Sequence, residues 1–255
     1  MTHHTVEEIV TMLATNESPP AAILPGVLIR TALADQYTTV DGPIGLLHVA
    51  FTEHGVSSIV PTADEAHFLD IHADSVGRPA YRIDAMPKKL ASPLQRALDT
   101  GRVGRLRFDL RQLTPFQREV LDITAQIPPG EVRPYGWVAR EIGNRGAVRA
   151  VGSALGRNPV PIAIPCHRVV KSDGAVGNYA YGPAMKIALL EHEGMDSAGL
   201  APGSLRFVAS DTTGIFCYPT CRHARRIAPS HRVEFRSPQL AVAGGYRACK
   251  TCRPG

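Results

Sequence analysis

Near its C-terminal end the chain carries two close pairs of cysteines, Cys217-x3-Cys221 and Cys249-x2-Cys252, separated by 27 residues. That spacing leaves a short segment little conformational choice. Each pair offers two sulfurs from a single turn, which is what a tetrahedral metal site takes. A fifth cysteine, Cys166, stands apart, and an odd count argues against a framework of disulfides. In a reducing compartment such a tetrad reads as a metal site rather than two disulfide bonds, and Zn2+ is the ion suited to four thiolates. The fold around it can be a structural knuckle or something more.

Charge is concentrated in the same region. From residue 201 onward nine basic residues face only Asp211 and Glu234, whereas the whole chain of 255 residues carries a formal net charge of +5. So uneven a distribution fits a polyanionic partner, most simply nucleic acid, or a basic tail kept for solubility. Apolar residues make up 44% of the chain, enough for globular cores. No apolar run reaches the ~18 residues of a membrane span. The start, MTHHTVEEIV, lacks the basic and apolar stretches of a secretory signal. The expectation is a cytoplasmic protein with no membrane partner.

Upstream, residues 5–14 have helical spacing of Val6, Ile9, Val10 and Leu13. The run from Asp35 to Pro61 reads as strands punctuated at Gly42-Pro43 and His54-Gly55. Helices are expected over 64–71 and 93–99, and RLRFDL (105–110) has the alternation of a strand. No chemistry is evident in this small α/β unit.

From Thr114 the texture changes. TPFQREVLDITAQI has a Thr N-cap, Pro at the first helical position and helical apolar spacing. EVRPYGWVAREIG and NRGAVRAVGSALGRN then read as two short helices joined at Gly143 and Asn144. The pattern fits a DNA-binding helix-turn-helix or two packed core helices equally. The second helix carries small residues, among them Ala147, Ala150, Gly152, Ser153 and Ala154, together with Arg149. A further helix spans 183–194, followed by the linker-like MDSAGLAPGS.

Cys166 lies in PIAIPCHRVV. A nucleophilic cysteine needs a base or positive field to yield its thiolate. His167 is adjacent, yet neighbours on an extended segment point opposite ways, so it would act through a water. Glu193 is the best downstream carboxylate to orient it. The residues alone leave open a buried free cysteine beside a satisfied histidine.

The stretch 130–194, with PCHRV at its centre, resembles the catalytic domain of the methylated-DNA–protein-cysteine methyltransferases, the O6-alkylguanine-DNA alkyltransferases. A weaker likeness runs back through LTPFQREVL. The resemblance implies a single-turnover methyltransferase acting on double-stranded DNA with O6-alkylguanine. Cys166 would be the irreversible acceptor, His167 the base through a water, Glu193 its orienting carboxylate and Asn158 the brace of the turn. Tyr135 would assist nucleotide extrusion and donate a proton to the leaving guanine. Arg149 would enter the stack, with Ala150 and Gly152 against the minor groove. Val176, Tyr179 and Ala180 of the loop 176–182 would wall the guanine pocket. Some members place Ser where this chain has Ala180, which bears on lesion range. Base flipping costs a few kcal/mol, which an inserted side chain partly offsets.

The stretch 212–255 is similar to the metal-binding domain of the bacterial adaptive-response protein Ada. That resemblance implies one Zn2+ held by Cys217, Cys221, Cys249 and Cys252, with Cys217 a second acceptor that takes methyl from DNA methylphosphotriesters. Of Arg222, Arg226, Arg236 and Arg247, Arg247 is the favoured phosphate contact. In Ada this domain comes first, and an AraC-type DNA-binding region follows it. Here it comes last, and the junction leaves no room for such a region. The alternative reading, a methylation-activated DNA-binding regulator, is disfavoured on that ground.

Together these resemblances imply an α+β multidomain fold: a small N-terminal α/β unit of ribonuclease-H-like type (1–112), a mostly helical, winged helix-turn-helix-like catalytic domain (113–196), a linker (197–204) and a small four-cysteine zinc domain (205–255). The expected state is a monomer, with zinc and no organic cofactor.

Overall fold

The structure, a computed structural model, describes residues 24–197, 200–203 and 207–255. The helix expected over 5–14 and part of the expected linker lie outside the described residues. A short helix, α1 (Leu24–Arg30), leads into an antiparallel meander of β1 (Asp35–Gly42), β2 (Gly45–Thr52) and β3 (Gly55–Pro61). Both turns are two residues long and fall at the expected punctuation. After the crossover helix α2 (Glu65–Val76), β4 (Ala80–Arg82) joins β1 in parallel, giving the order β3-β2-β1-β4. Asp64 caps α2, its carboxylate accepting the N–H groups of Ala66 and His67.

The sheet is covered on both faces, which explains why β2 is buried along most of its length. Leu47, Val49 and Phe51 alternate to one face and join Leu90, Leu94, Ala97 and Leu98 of α3 (Lys88–Thr100). Ala50 points the other way, toward Tyr37, Val60 and Phe68 of the α2 side. The unit that looked inert in the sequence holds a buried polar network: Ser58 Oγ lies 2.8 Å from His72 Nδ1, and Asp35 pairs with Arg78 at 2.8 Å.

The strand expected over 105–110 does not form. The chain touches the sheet through a single parallel bridge, Val56 to Phe108. Close approach is possible there because residue 55 is a glycine: a Cβ on it would stand 2.3 Å from the Arg107 carbonyl oxygen. Asp109 then draws the chain away, bound by Arg111 at 2.8 Å, Arg78 at 3.4 Å and the Thr52 hydroxyl at 2.8 Å.

The helical part begins with α4 (Pro115–Ala125), whose Thr114–Gln117 capping box is complete. A two-residue strand, β5 (Arg133–Pro134), runs into α5 (Tyr135–Glu141), and α6 (Val148–Gly156) follows the turn at Gly143. Val151, Ala154 and Leu155 bury one side of α6, while Val148, Arg149, Ala150 and Ser153 are exposed on the other. Cys166–Arg168 form a 3-10 turn feeding β6 (Val169–Val170), which pairs in parallel with β5. The helix α7 (Pro183–His192) closes this part, with Glu193 as its C-cap.

The C-terminal part is a second four-stranded sheet of β7 (Phe207–Ser210), β8 (Ile215–Cys217), β9 (Arg232–Phe235) and, after the helix α8 (Pro238–Ala243), β10 (Arg247–Ala248). Its order is β10-β8-β7-β9. One contiguous buried apolar cluster joins all three parts, from Leu47 to Cys252. Among the described residues no helix is long and apolar enough to cross a membrane.

Candidate active site and metal centre

Cys166 begins the 3-10 turn rather than lying on an extended segment, so the alternation expected of it and His167 does not apply. Both side chains are buried. The turn is held from behind by Asn158. Its amide nitrogen donates to the Ile164 carbonyl at 3.0 Å and to Cys166 Sγ at 3.2 Å, while its oxygen accepts the Val160 N–H at 3.1 Å. The connecting loop carries strain. Ile162 has φ 71°, a left-handed conformation that costs a β-branched residue roughly 1–3 kcal/mol.

Behind the cysteine, His167 Nε2 lies 2.9 Å from Glu193 Oε1. That bond to a carboxylate fixes the N–H on Nε2, and Nδ1, buried without a protein partner, keeps its lone pair. Burial pushes the His167 pKa down despite Glu193, so the ring is neutral. Burial alone would raise the Glu193 carboxyl, but hydrogen bonds from His167 and Arg168 hold it at about 2. Arg168 is itself buried, donating to Glu193 at 2.5 Å, to the Ile127 carbonyl at 2.5 Å and to the Gly101 carbonyl at 2.6 Å.

Burial pushes the Cys166 thiol up, while the Asn158 amide and the Lys186 ammonium pull it back. Lys186 is fully buried, donates to the Val169 carbonyl at 2.5 Å, and is brought down by burial to about 8. Neither Lys186 nor Arg168 stands out in the sequence as a site residue. The only local signal was a charged residue on the otherwise apolar face of α7.

Cys166 opens into a cavity of about 530 Å3 shared with Tyr135, Arg149, Gly152, Tyr179 and Ala180. Burial raises the pKa of Tyr135, and its hydroxyl lies 3.5 Å from the Asn178 carbonyl oxygen. One residue expected in the pocket wall falls outside the lining. Val176 does not reach the cavity, whose loop wall is made by Asn178, Tyr179 and Ala180. Ala150 lies on the exposed face of α6.

The four C-terminal cysteines converge. Their sulfur atoms lie within 4.8 Å of one another, all are buried, and none is in a disulfide. A tetrahedron with metal–sulfur bonds of about 2.3 Å spaces its sulfurs by about 3.8 Å, so the cluster fits Zn2+. Cys221 Sγ accepts the N–H groups of His223 and Ala224, and Cys252 Sγ that of Tyr218. Hydrogen bonding among the sulfurs raises Cys217 and lowers Cys221: without a cation the cluster cannot hold four thiolates. A second cavity of about 470 Å3 opens beside Cys217, lined by His223, Arg226, Arg247 and Lys250 together with Thr212 and Thr251. Arg222 and Arg236 are outside it.

Residues 115–195 match the family model described as the DNA binding domain of 6-O-methylguanine DNA methyltransferase, and 203–255 the model described as the metal binding domain of Ada. The human methylated-DNA–protein-cysteine methyltransferase is 39% identical over 164 residues, 62% of this chain and 79% of that relative. The chain belongs to the methylated-DNA–protein-cysteine methyltransferase family. The Salmonella typhimurium methyltransferase is 51% identical over 81 residues, 32% of this chain. The chain spans 47% of that relative's length. The regulatory protein ada of the same organism is 36% identical over 160 residues, 62% of this chain and 45% of the relative. Asn158 meets Cys166, and the neighbouring His167 meets Glu193, in one cluster. The C-terminal cysteines form a zinc site of the Ada type.

Proposed function

We propose that the chain is a single-turnover DNA-repair methyltransferase that moves the alkyl group of O6-alkylguanine in duplex DNA onto Cys166, and takes methyl from DNA methylphosphotriesters onto Cys217. The observation that carries the first half is Cys166 Sγ at the floor of a cavity, 3.2 Å from the Asn158 amide and backed by the His167–Glu193 pair.

In the first reaction the Cys166 proton passes through a water to His167 Nδ1, and the thiolate attacks the alkyl carbon. An S–C bond forms, the C–O6 bond breaks, and the electron pair goes to guanine. Tyr135 protonates the leaving base and recovers its proton from the His167 side. Glu193 stabilises the imidazolium that forms, and Lys186 the thiolate. A thioether has no hydrolysable bond, so each molecule acts once. Arg149, exposed at the cavity rim on α6, fills the stack left by the flipped nucleotide, with Gly152 allowing close approach to the minor groove. Tyr179 and Ala180 enclose the base.

When bound, the metal would hold the four sulfurs as thiolates, nucleophilic at neutral pH. Held so, Cys217 would be the nucleophile for the methyl carbon of the triester, forming an S–C bond as the C–O bond breaks to a phosphodiester anion, with Arg247 placed to hold the phosphate. We assign three units, 1–112, 113–196 and 205–255. The sheet order β3-β2-β1-β4 supports a ribonuclease-H-like first unit, and the α5–α6 pair a helix-turn-helix. A monomer in a reducing, cytoplasmic setting suits both thiols. Peptide mass spectrometry after exposure to two duplexes tests the reading: methyl on Cys166 from O6-methylguanine and on Cys217 from a methylphosphotriester. An unmodified Cys166 would sink it.

A further inference from the structure

The two acceptor sites share one piece of backbone, the segment 130–137. Gly130 donates its N–H to Glu193 Oε2 at 3.0 Å. The next residue, Glu131, accepts through Oε1 the N–H of Arg222 at 3.0 Å, and Arg222 directly follows the metal-site cysteine Cys221. A glycine suits position 130: φ is 70°, a strained conformation for a side chain, and a Cβ there would stand 3.0 Å from the Glu193 carbonyl oxygen.

Glu131 also holds Arg133 in a buried ion pair at 2.5 Å. The Arg133 guanidinium lies 5.8 Å from the ring of Trp137 and 5.3 Å from that of Tyr218, the residue after Cys217. The backbone of Arg133–Pro134 pairs with Val169–Val170, the strand that leaves the Cys166 turn. At the end of the segment Trp137 donates its indole N–H to the Cys252 carbonyl at 3.0 Å, two residues from the cavity-lining Tyr135. Arg253 stacks on the same indole at 5.5 Å and pairs with Glu141 at 2.9 Å. Thus one short segment holds Glu193 and β6 on one side and the turns of Cys217, Cys221 and Cys252 on the other.

Those cysteine turns are the parts of a small metal domain that depend most on the ion for their order. Without it, Trp137 would lose its acceptor, Glu131 the Arg222 N–H, and the Glu131–Arg133 pair its cover. The segment would then relax, and with it the bond from Gly130 to Glu193. We propose that metal binding by the four cysteines sets the geometry of the Cys166 site through the strut 130–137, with Glu131 and Arg133 as positioning residues. This rests on the reading of Cys166 as the alkyl acceptor.

Trp137 is the only tryptophan in the chain, so its emission reports the contact with Cys252. The full chain is compared under reducing conditions loaded with Zn2+, stripped by a chelator and reloaded. Three quantities are read: tryptophan emission, affinity for a duplex containing O6-methylguanine, and the single-turnover rate of methyl transfer to Cys166 at saturating duplex. Stripping is expected to shift the emission to the red and slow saturated transfer by roughly tenfold or more, since misplacing catalytic groups is costly. Reloading restores both. The variant Glu131→Gln, with its zinc content unchanged, shows the same slower transfer with unaltered duplex affinity, which separates misalignment of the site from general unfolding. Transfer that runs at the same saturated rate with and without metal, or in Glu131→Gln, overturns the strut alone. A loaded chain that leaves Cys166 unmodified overturns the acceptor reading along with it.

Discussion

The Asn158 side chain joins the acceptor sulfur to its own loop: one amide nitrogen reaches both Cys166 Sγ, at 3.2 Å, and the Ile164 carbonyl, at 3.0 Å. The bond to sulfur lowers a thiol that burial raises, and the bond to Ile164 closes the turn around it. Asn158→Ala removes both and strands the Val160 N–H as well. We expect a loss of roughly 1–3 kcal/mol in stability. We also expect slower transfer to Cys166, with the pH–rate profile moved to higher pH. Urea unfolding and single-turnover kinetics check the two effects separately.

Acid should weaken the site in two steps. The His167 pKa is lowered by burial, so the folded chain binds that proton less readily than the unfolded chain, and stability falls as pH drops below the ordinary histidine range. Glu193 is held at about 2, below its unfolded value, so its contribution is present above the ordinary carboxylate range and is lost as pH falls toward 2. The second step is worth on the order of 3 kcal/mol. Glu193→Gln should abolish that second step, leave Arg168 buried without its counter-ion, and slow transfer. Chemical denaturation across pH in the two proteins measures it.

How much of this was legible in the sequence depended on how local the signal was. The zinc cysteines could be read from spacing alone, because two residues on one turn must present neighbouring sulfurs. Asn158 became readable only through family resemblance, whereas Glu193 stood out as a candidate carboxylate for His167 although nothing local ties residue 193 to residue 167. Arg168 and Lys186 were not read at all: they are satisfied by backbone carbonyls distant in sequence, Ile127 and Gly101 for one and Val169 for the other. The strand expected over 105–110 failed for a related reason. Its alternation was real, but Asp109 is bound by Thr52, Arg78 and Arg111, partners that periodicity does not see.

Lys186 makes a third prediction. Burial brings its ammonium down to about 8, below its unfolded value, so its burial costs stability at neutral pH, and that cost is relieved as pH rises through 8. Lys186→Met removes the buried charge but leaves the Val169 carbonyl without a donor, at roughly 1–3 kcal/mol. These effects oppose each other, so little change in melting temperature is expected. Transfer should nevertheless fall about tenfold at pH 7, because the thiol loses a cation that favours its ionised form. A loss of stability without a change in the pH–rate profile would refute the electrostatic role.

The two acceptors should be separable by their substrates. Cys166→Ser keeps the shape of the turn but replaces the sulfur with a far weaker nucleophile, so transfer from O6-methylguanine should cease. It touches neither the cysteine cluster nor the cavity beside Cys217, so methyl transfer from a methylphosphotriester duplex to Cys217 should continue at the parental rate. Arg247→Ala does the converse. Arg247 lines the Cys217 cavity with Arg226 and Lys250, and losing one phosphate contact should reduce the slope of log affinity against log salt by about one. Transfer to Cys217 should slow while transfer to Cys166 does not. Quantifying both methylated peptides from a single mixed-lesion duplex, at several salt concentrations, tests both variants at once, and a Cys217 that stays unmodified with zinc bound would mark the C-terminal domain as a DNA tether.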